Sequence, residues 1–185
     1  LKYIADGTKA EVFVDGVSGG SFDFAATSFI KLEIGAYARA ADDAVKAVFD
    51  NVKVQNFVSV YKGVTIEDDV FVGPSATFTN DLYPRTFIWD EEHISPTRIC
   101  RGASIGANAT IVCGITVGEY AMIGAGSVVA ENVPAYALIL GNPGRQRGWV
   151  CRCGHRLNTV LHDDLDKTVY RCSSCGSDVQ IIKKP

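Results

Sequence analysis

The sequence predicts an all-β chain whose central part is a solenoid of stacked β coils. Three observations carry that expectation. From residue 105 to 129 an aliphatic side chain recurs every six positions, at Ile105, Ile111, Val117, Ile123 and Val129. The same spacing extends backward to Ile99 and, after one interruption, resumes as Phe78, Val72, Ile66, Val60, Val54 and Val48. Four of the six cysteines fall close together near the end, at Cys151, Cys153, Cys172 and Cys175.

A period of six excludes a helix as its source. A helix returns to one face every 3.6 residues, whereas a strand alternates every two, so six is a whole number of strand steps. Small or aliphatic residues also recur four places after each leading position: Val52, Val58, Val64, Val70, Ala76, then Ala103, Ala109, Ile115, Ala121, Ser127 and Val133. Both sets point inward. The residue after the leading aliphatic is often small or acidic (Glu67, Gly73, Gly106, Gly118, Gly124, Ala130), as required where the backbone bends and a large side chain would clash. Such a chain makes short strands, turns, and stacks coil on coil, each burying the apolar face its neighbour exposes. Three hexads per coil turn the twelve into four coils. An antiparallel set of hairpins is the competing reading, but it needs turn signals at irregular spacing.

The expected organisation is a β segment over 1–47, the solenoid over 48–147, and a small tail over 148–185. The clock stops once, at "TNDLYPRTFIWDEEHISPTR". This stretch, 79–98, reads as a functional loop leaving the side of the solenoid. Residues 1–47 hold no hexads; "AEVFVDG" (10–16) and "FIKLEIGAYA" (29–38) alternate as strands, the first ended by an Asp-Gly turn. Together with "AVFDNVKV" (47–54) they resemble the closing strands of a concanavalin-like or laminin-G-like jelly roll. A full sandwich needs about twice as many residues, so the segment is expected to be incomplete and either to cap the first coil or to be poorly ordered.

Composition bounds the partners. With 47% hydrophobic and 21% charged residues in 185, the chain is globular. Eighteen Lys plus Arg against 21 Asp plus Glu give a net charge of −3 without long like-charged runs, so no nucleic acid is expected. Neither a membrane span nor a signal segment is legible, which gives a cytoplasmic expectation and no membrane partner.

"CRCG" (151–154) and "CSSCG" (172–176) place Cys151, Cys153, Cys172 and Cys175 on two facing knuckles, metal spacing more than disulfide spacing. Four thiolates suit a tetrahedral structural Zn²⁺ with no open position for catalysis. Because the first pair is Cys-x-Cys, His155 stands as a substitute for one ligand. Cys100 and Cys113 read as packing residues.

The pattern [LIV]-[GAED]-x-x-[STAV]-x resembles the hexapeptide-repeat family, and that resemblance implies a left-handed parallel β-helix. From "NVKVQNF" to "GNPGRQRGWVCRCG" the chain is similar to the sugar-nucleotide N-acetyltransferases of that family, with "FTNDLYPR" and "GNPGRQ" carrying most of the likeness. The resemblance implies transfer of acetyl from acetyl-CoA to the amino group of a UDP- or dTDP-linked 3-amino sugar, for surface polysaccharide, by a homotrimer. The Asn of "FTN", here Asn80, then lies beside the reacting amine and orients it; on its own, Asn-Asp reads equally as a loop start. Other members use a His base, for which His93 is the candidate near the loop, an exposed loop histidine being the alternative. Arg85 suits a phosphate or carboxylate of the sugar nucleotide, or else a surface ion pair. For acetyl-CoA, the resemblance implies pantetheine in the groove between prisms, with Gly124, Ala125 and Gly141 along it and Arg145 at the 3′-phosphoadenosine. Relatives usually have additional coils before Val54, which puts nucleotide recognition in question.

Two other classes compete with this reading. Carbonic-anhydrase-like solenoids need three metal-binding histidines, whereas His93, His155 and His162 are the only ones and two lie in the tail. The remaining alternative is a carbohydrate-binding or structural chain on a degenerate solenoid.

Overall fold

The computed structural model describes residues 2–5, 9–14, 17–23, 52–88 and 93–183. At the start, β1 (Lys2–Ala5), β2 (Lys9–Val14) and β3 (Val17–Asp23) form an antiparallel sheet in chain order. The expected strand at 10–14 lies within β2, and Val14 pairs with Val17 across the Asp-Gly dipeptide. The expected strand 29–38, and 47–51 of the junction strand, lie outside the described residues.

The centre is a triangular parallel β-helix. One face stacks β4 (Lys53–Val54), β6 (Phe71–Val72), β9 (Ser104–Ile105), β12 (Met122–Ile123) and β14 (Ala137–Leu140). The second stacks β7 (Thr77–Phe78), β10 (Thr110–Ile111) and β13 (Val128–Val129), and the third β5 (Val64–Ile66), β8 (Thr97–Ile99) and β11 (Thr116–Val117). Ile105, Ile111 and Val117 thus occupy successive faces of one winding. The next winding places Ile123 directly on Ile105, three hexads later.

The two inward columns form the core as the hexads require. Ile99, Ile105, Ile111 and Val117, with Ala76, Ala103, Ala109 and Ala121, are all fully buried. Burying each aliphatic side chain contributes roughly 1.5–3 kcal/mol relative to leaving it exposed. The first coil differs: Val54, Val58, Val60 and Val64 pack on the core but are only partly buried. Between coils the approach is close. A Cβ on Gly106 would stand 2.5 Å from the amide nitrogen of Ala125, well inside contact distance, which is why that corner position takes no side chain.

The clock ends because the last winding is shorter. Ile105 to Ile123 is eighteen residues, but Val117 meets Val133 after sixteen. At this corner Tyr120 and Tyr136 both take the left-handed conformation, with φ of 55° and 62°. That conformation costs an ordinary residue about 1–2 kcal/mol. Their rings stack with centroids 5.4 Å apart, which offsets part of the cost.

β15 (Arg145–Trp149) turns back antiparallel to β14 and closes the first face. Beyond it β16 (Thr159–Asp163), β17 (Lys167–Arg171) and β18 (Asp178–Ile182) make an antiparallel ribbon in sequence order. Its small core joins Cys151, Leu157, Cys172, Val179 and Ile181, with Tyr136 and Trp149 packed against it. No α-helix occurs among the described residues, and no helix is long and apolar enough to cross a membrane.

Candidate functional site

The loop leaves the solenoid where β7 ends. Thr79 fixes the point of departure: its N–H donates to the carbonyl of Ile111 (3.0 Å) and its hydroxyl accepts the N–H of Cys113 (2.9 Å). The next residue, Asn80, accepts the N–H of Ser95 through its backbone carbonyl (2.9 Å), and Asp81 pairs with Ile94 in antiparallel fashion. Outgoing and returning legs therefore form a neck on the corner between the second and third faces. The structure brings Asn80 and His93 to that neck, on opposite legs. Beyond it the Asp81 carboxylate accepts the N–H of Tyr83 (2.7 Å), a short turn that starts the excursion.

Arg85 comes later on the outgoing leg, where it pairs with Ile88 and the guanidinium donates to the carbonyl of Pro84 (3.0 Å). It is exposed. Four apolar side chains, Leu82, Tyr83, Phe87 and Ile88, are exposed on the same excursion, Phe87 by 82%.

The residues expected at the cofactor gather at a different corner, between the first and second faces. Gly124 and Ala125 follow β12; because Ile123 pairs with Ile139, Gly141 lies one coil above them on the same corner. The turn after β14 is tied down at three points. Gly141 N–H donates to the Ser127 hydroxyl (3.0 Å), Val128 N–H to the Gly141 carbonyl (3.0 Å), and Gly144 N–H to the Val128 carbonyl (2.7 Å). Arg145 opens β15 opposite Leu140, exposed, with its guanidinium on the carbonyl of Gly144 (3.0 Å).

The two groups share the second face but occupy opposite edges of it. They are also separated along the axis by the step from β7 through β10 to β13, about 10 Å at the usual strand spacing. One chain does not bring Asn80 to Gly141 or Arg145. Nor does either group line the two concavities at the ribbon, one bounded by Asp163, Asp164, Leu165, Asp166 and Lys183, the other running past Pro134, Trp149 and Tyr170.

The four tail cysteines converge. Their sulfurs lie within 4.8 Å of one another, with Cys151 to Cys175 at 3.5 Å and Cys153 to Cys172 at 3.6 Å. Four sulfurs around a tetrahedral Zn²⁺ at 2.3 Å stand about 3.8 Å apart, so the donor set fits that ion. The His155 Nδ1 reaches the Cys153 sulfur at 3.5 Å, beside the cluster. Cys151 and Cys172 are buried, whereas Cys153 and Cys175 are exposed. Burial pushes the Cys151 thiol up to about 12, while hydrogen bonds from Ser177 draw Cys175 down to about 6. Cys175 is therefore the readiest thiolate, whereas Cys151 gives up its proton to a cation.

The sequence reading gives no role to Thr79 or Arg152 and takes Ser127 only as a small inward residue, yet the Thr79 and Ser127 hydroxyls pin the two corners and Arg152 stands 5.9 Å over the Tyr120 ring. Thr79 and Ser127 were signalled by their polarity at positions adjoining or inside the apolar columns. Nothing in the sequence marks Arg152.

Residues 96–131 match the family described as bacterial transferase hexapeptide (six repeats). Over 69 residues the chain is 52% identical to the dTDP-3-amino-3,6-dideoxy-alpha-D-galactopyranose 3-N-acetyltransferase of Aneurinibacillus thermoaerophilus, covering 37% of this chain and 36% of that protein. Over 133 residues it is 32% identical to the bifunctional protein GlmU of Thermotoga petrophila, covering 65% of this chain but 29% of the relative. Among solved structures, a hexapeptide-repeat acetyltransferase of Vibrio cholerae O1 biovar eltor, complexed with acetyl coenzyme A, is similar at a TM-score of 0.48 and 30% identity, over 55% of this chain and 58% of that one. The chain spans about a third of the length of the curated relatives it matches. With its three-faced winding, its six-residue columns and the match over 96–131, the chain is similar to the hexapeptide-repeat transferases.

Proposed function

We propose that this chain is an acetyl-CoA-dependent N-acetyltransferase acting on the amino group of a UDP- or dTDP-linked 3-amino sugar, in surface polysaccharide synthesis. The observation that carries the reading is the 52% identity to a 3-N-acetyltransferase of a dTDP-linked 3-amino sugar. The neutral amine attacks the thioester carbonyl, the carbon–sulfur bond breaks, and the products are the acetamido sugar and CoA. Alignment supplies much of the rate. The Asn80 carboxamide accepts an N–H of the amine and aims its lone pair at the carbonyl. It is not basic at neutral pH, so the proton released as the amide forms passes to His93, on the facing leg of the neck. Arg85 contacts a phosphate of the sugar nucleotide.

Acetyl-CoA lies along the corner of Gly124, Ala125 and Gly141, with Arg145 at its 3′-phosphate. Because that corner and the Asn80 neck occupy opposite edges of one face, the reaction needs a second copy to set the neck of one prism against the corner of the next. A homotrimer does this, and the exposed Leu82, Tyr83, Phe87 and Ile88 give the loop an apolar surface to bury there. Cys151, Cys153, Cys172 and Cys175 hold a structural Zn²⁺, which supplies folding energy to the ribbon and takes no part in the chemistry. The compartment is the cytoplasm.

The test is CoA release with a panel of UDP- and dTDP-linked 3-amino sugars, with sedimentation of the same sample. Turnover with a 3-amino sugar and a trimeric mass support the reading. CoA release no faster than the blank for every sugar overturns it in favour of a binding or structural chain.

A further inference from the structure

One strand serves both the cofactor corner and the metal cluster. β15 begins at Arg145, in the turn that holds Gly141 and Gly144, and ends at Trp149, two residues before Cys151. It is the end strand of its sheet and pairs there with β14 alone. That pairing is irregular: Leu138 meets Gly148 but Ile139 meets Gln146, so Arg147 has no opposite number. A short bulged edge strand of this kind is weakly held by its own ladder.

Its far end is held by the knuckle. Val150 N–H donates to the carbonyl of Tyr136 (2.8 Å), Leu157 N–H to Trp149 (2.9 Å), and Cys151 N–H to His155 (2.8 Å). Trp149 packs on the solenoid core and the ribbon core at once. Arg152, between the first two cysteines, covers Tyr120, which stacks on Tyr136. Yet the ribbon core consists of Leu157, Val179 and Ile181 plus two of the cysteines themselves. Three aliphatic side chains do not order a segment of this length without the metal.

We infer that metal binding by Cys151, Cys153, Cys172 and Cys175 locks β15 onto the last coil and so sets the shape of the Gly141–Arg145 turn, making the metal site a determinant of cofactor affinity. The inference about affinity rests on the CoA reading of that turn; the inference about β15 does not. Linkage makes the coupling reciprocal: whatever factor Zn²⁺ adds to CoA affinity, CoA adds to Zn²⁺ affinity.

The experiment uses the full zinc-loaded chain, the same chain after chelation, and the chelated chain with Zn²⁺ restored. Amide exchange is followed residue by residue, and CoA binding by calorimetry. Chelation should raise exchange at least tenfold at Gly144, Val150 and Leu157 while Gly106, Thr110 and Gly124 stay protected. CoA affinity should fall at least tenfold and recover with Zn²⁺, and saturating CoA should tighten Zn²⁺ binding by the same factor. Unchanged exchange at Gly144 and Val150 overturns the inference, as does a CoA affinity that moves less than twofold. Exchange that spreads through Gly106 and Gly124 also overturns it, since the effect is then global unfolding. A zinc-loaded chain that binds no CoA sinks the cofactor reading, and exchange at Gly144 then decides alone whether the metal orders the hairpin.

Discussion

The ring of Tyr120 lies directly over the α-carbon of Gly102, one coil below, so that a Cβ on Gly102 would strike its edge. Gly102 also has a φ of 70°. Gly102→Ala therefore meets two penalties, the left-handed backbone and an overpacked ring, and should lose about 1–3 kcal/mol in denaturant unfolding. In a Tyr120→Ala background the steric part disappears and the conformational part stays, so the same substitution should cost less there. Equal costs in both backgrounds would show that the ring is not the obstacle.

Phe78 is fully buried at the last inward position before the loop. It pairs with Ile111 in register, next to Thr79 and Asn80. Phe78→Ala should cost about 3–5 kcal/mol, the range for emptying a core site that cannot collapse. Calorimetric melting measures the loss, and a fall smaller than that for an exposed position such as Phe87→Ala would contradict the assigned packing.

The solenoid was legible because its cause is local and repeated. Residues such as Ile105 and Ile123 must be apolar to face inward, and nothing but the winding makes them recur on six. The end of the clock was not legible: the last coil is shortened by two residues, and its corner is filled by Tyr120 and Tyr136 in a conformation usually left to Gly or Asn. Stacking between those rings settles the matter, and stacking is a tertiary contact. β15 hid for a similar reason, since "RQRGW" has no alternation and becomes a strand only by lying on β14. Of the candidate site, spacing disclosed the cysteines. Asn80 and His93 came from a family resemblance, and that they stand on opposite legs of one neck, Asn80 opposite Ser95, follows from Asp81 pairing with Ile94.

Asn80 serves the fold through its backbone carbonyl, which accepts the Ser95 N–H. Asn80→Ala keeps that bond, so the melting temperature should hold while kcat falls about a hundredfold, the equivalent of roughly 2.7 kcal/mol of lost alignment. Steady-state kinetics beside a melt checks both halves. Unchanged kcat removes Asn80 from the mechanism, and a collapsed melt assigns it to the fold.

Glu67 gives the solenoid a pH dependence of known sign. Partial burial raises its pKa, but the Arg98 guanidinium, the Arg101 N–H and the Arg98 charge together draw it below the usual carboxylate range. A pKa lower in the folded chain than in the unfolded one contributes stability above the unfolded value, and this is lost as pH falls through the folded one. Glu67→Gln should therefore be slightly less stable than the parent chain at neutral pH. The gap should close as the pH drops below about 4. Melts compared at pH 7 and pH 3 measure it, and a gap that widens in acid would reverse the assignment.

Arg145 separates a specific phosphate contact from general stickiness. Its guanidinium is exposed at the start of β15 and donates to the neighbouring Gly144 carbonyl, which holds the fork at the mouth of the turn. In the proposed complex the fork meets the 3′-phosphate of CoA, a charge-assisted contact of about 1.5–3 kcal/mol. Arg145→Ala should then weaken CoA at least tenfold yet leave 3′-dephospho-CoA bound as tightly as the parent chain binds it, since that ligand lacks the phosphate. Arg145→Lys should recover only part of the loss, because an ammonium keeps the charge but not the planar fork. Isothermal titration with the two ligands against the three proteins reads all six affinities. Equal weakening of both ligands by Arg145→Ala would mean that the residue shapes the turn without touching phosphate, and the 3′-phosphate would have to be sought at another cation.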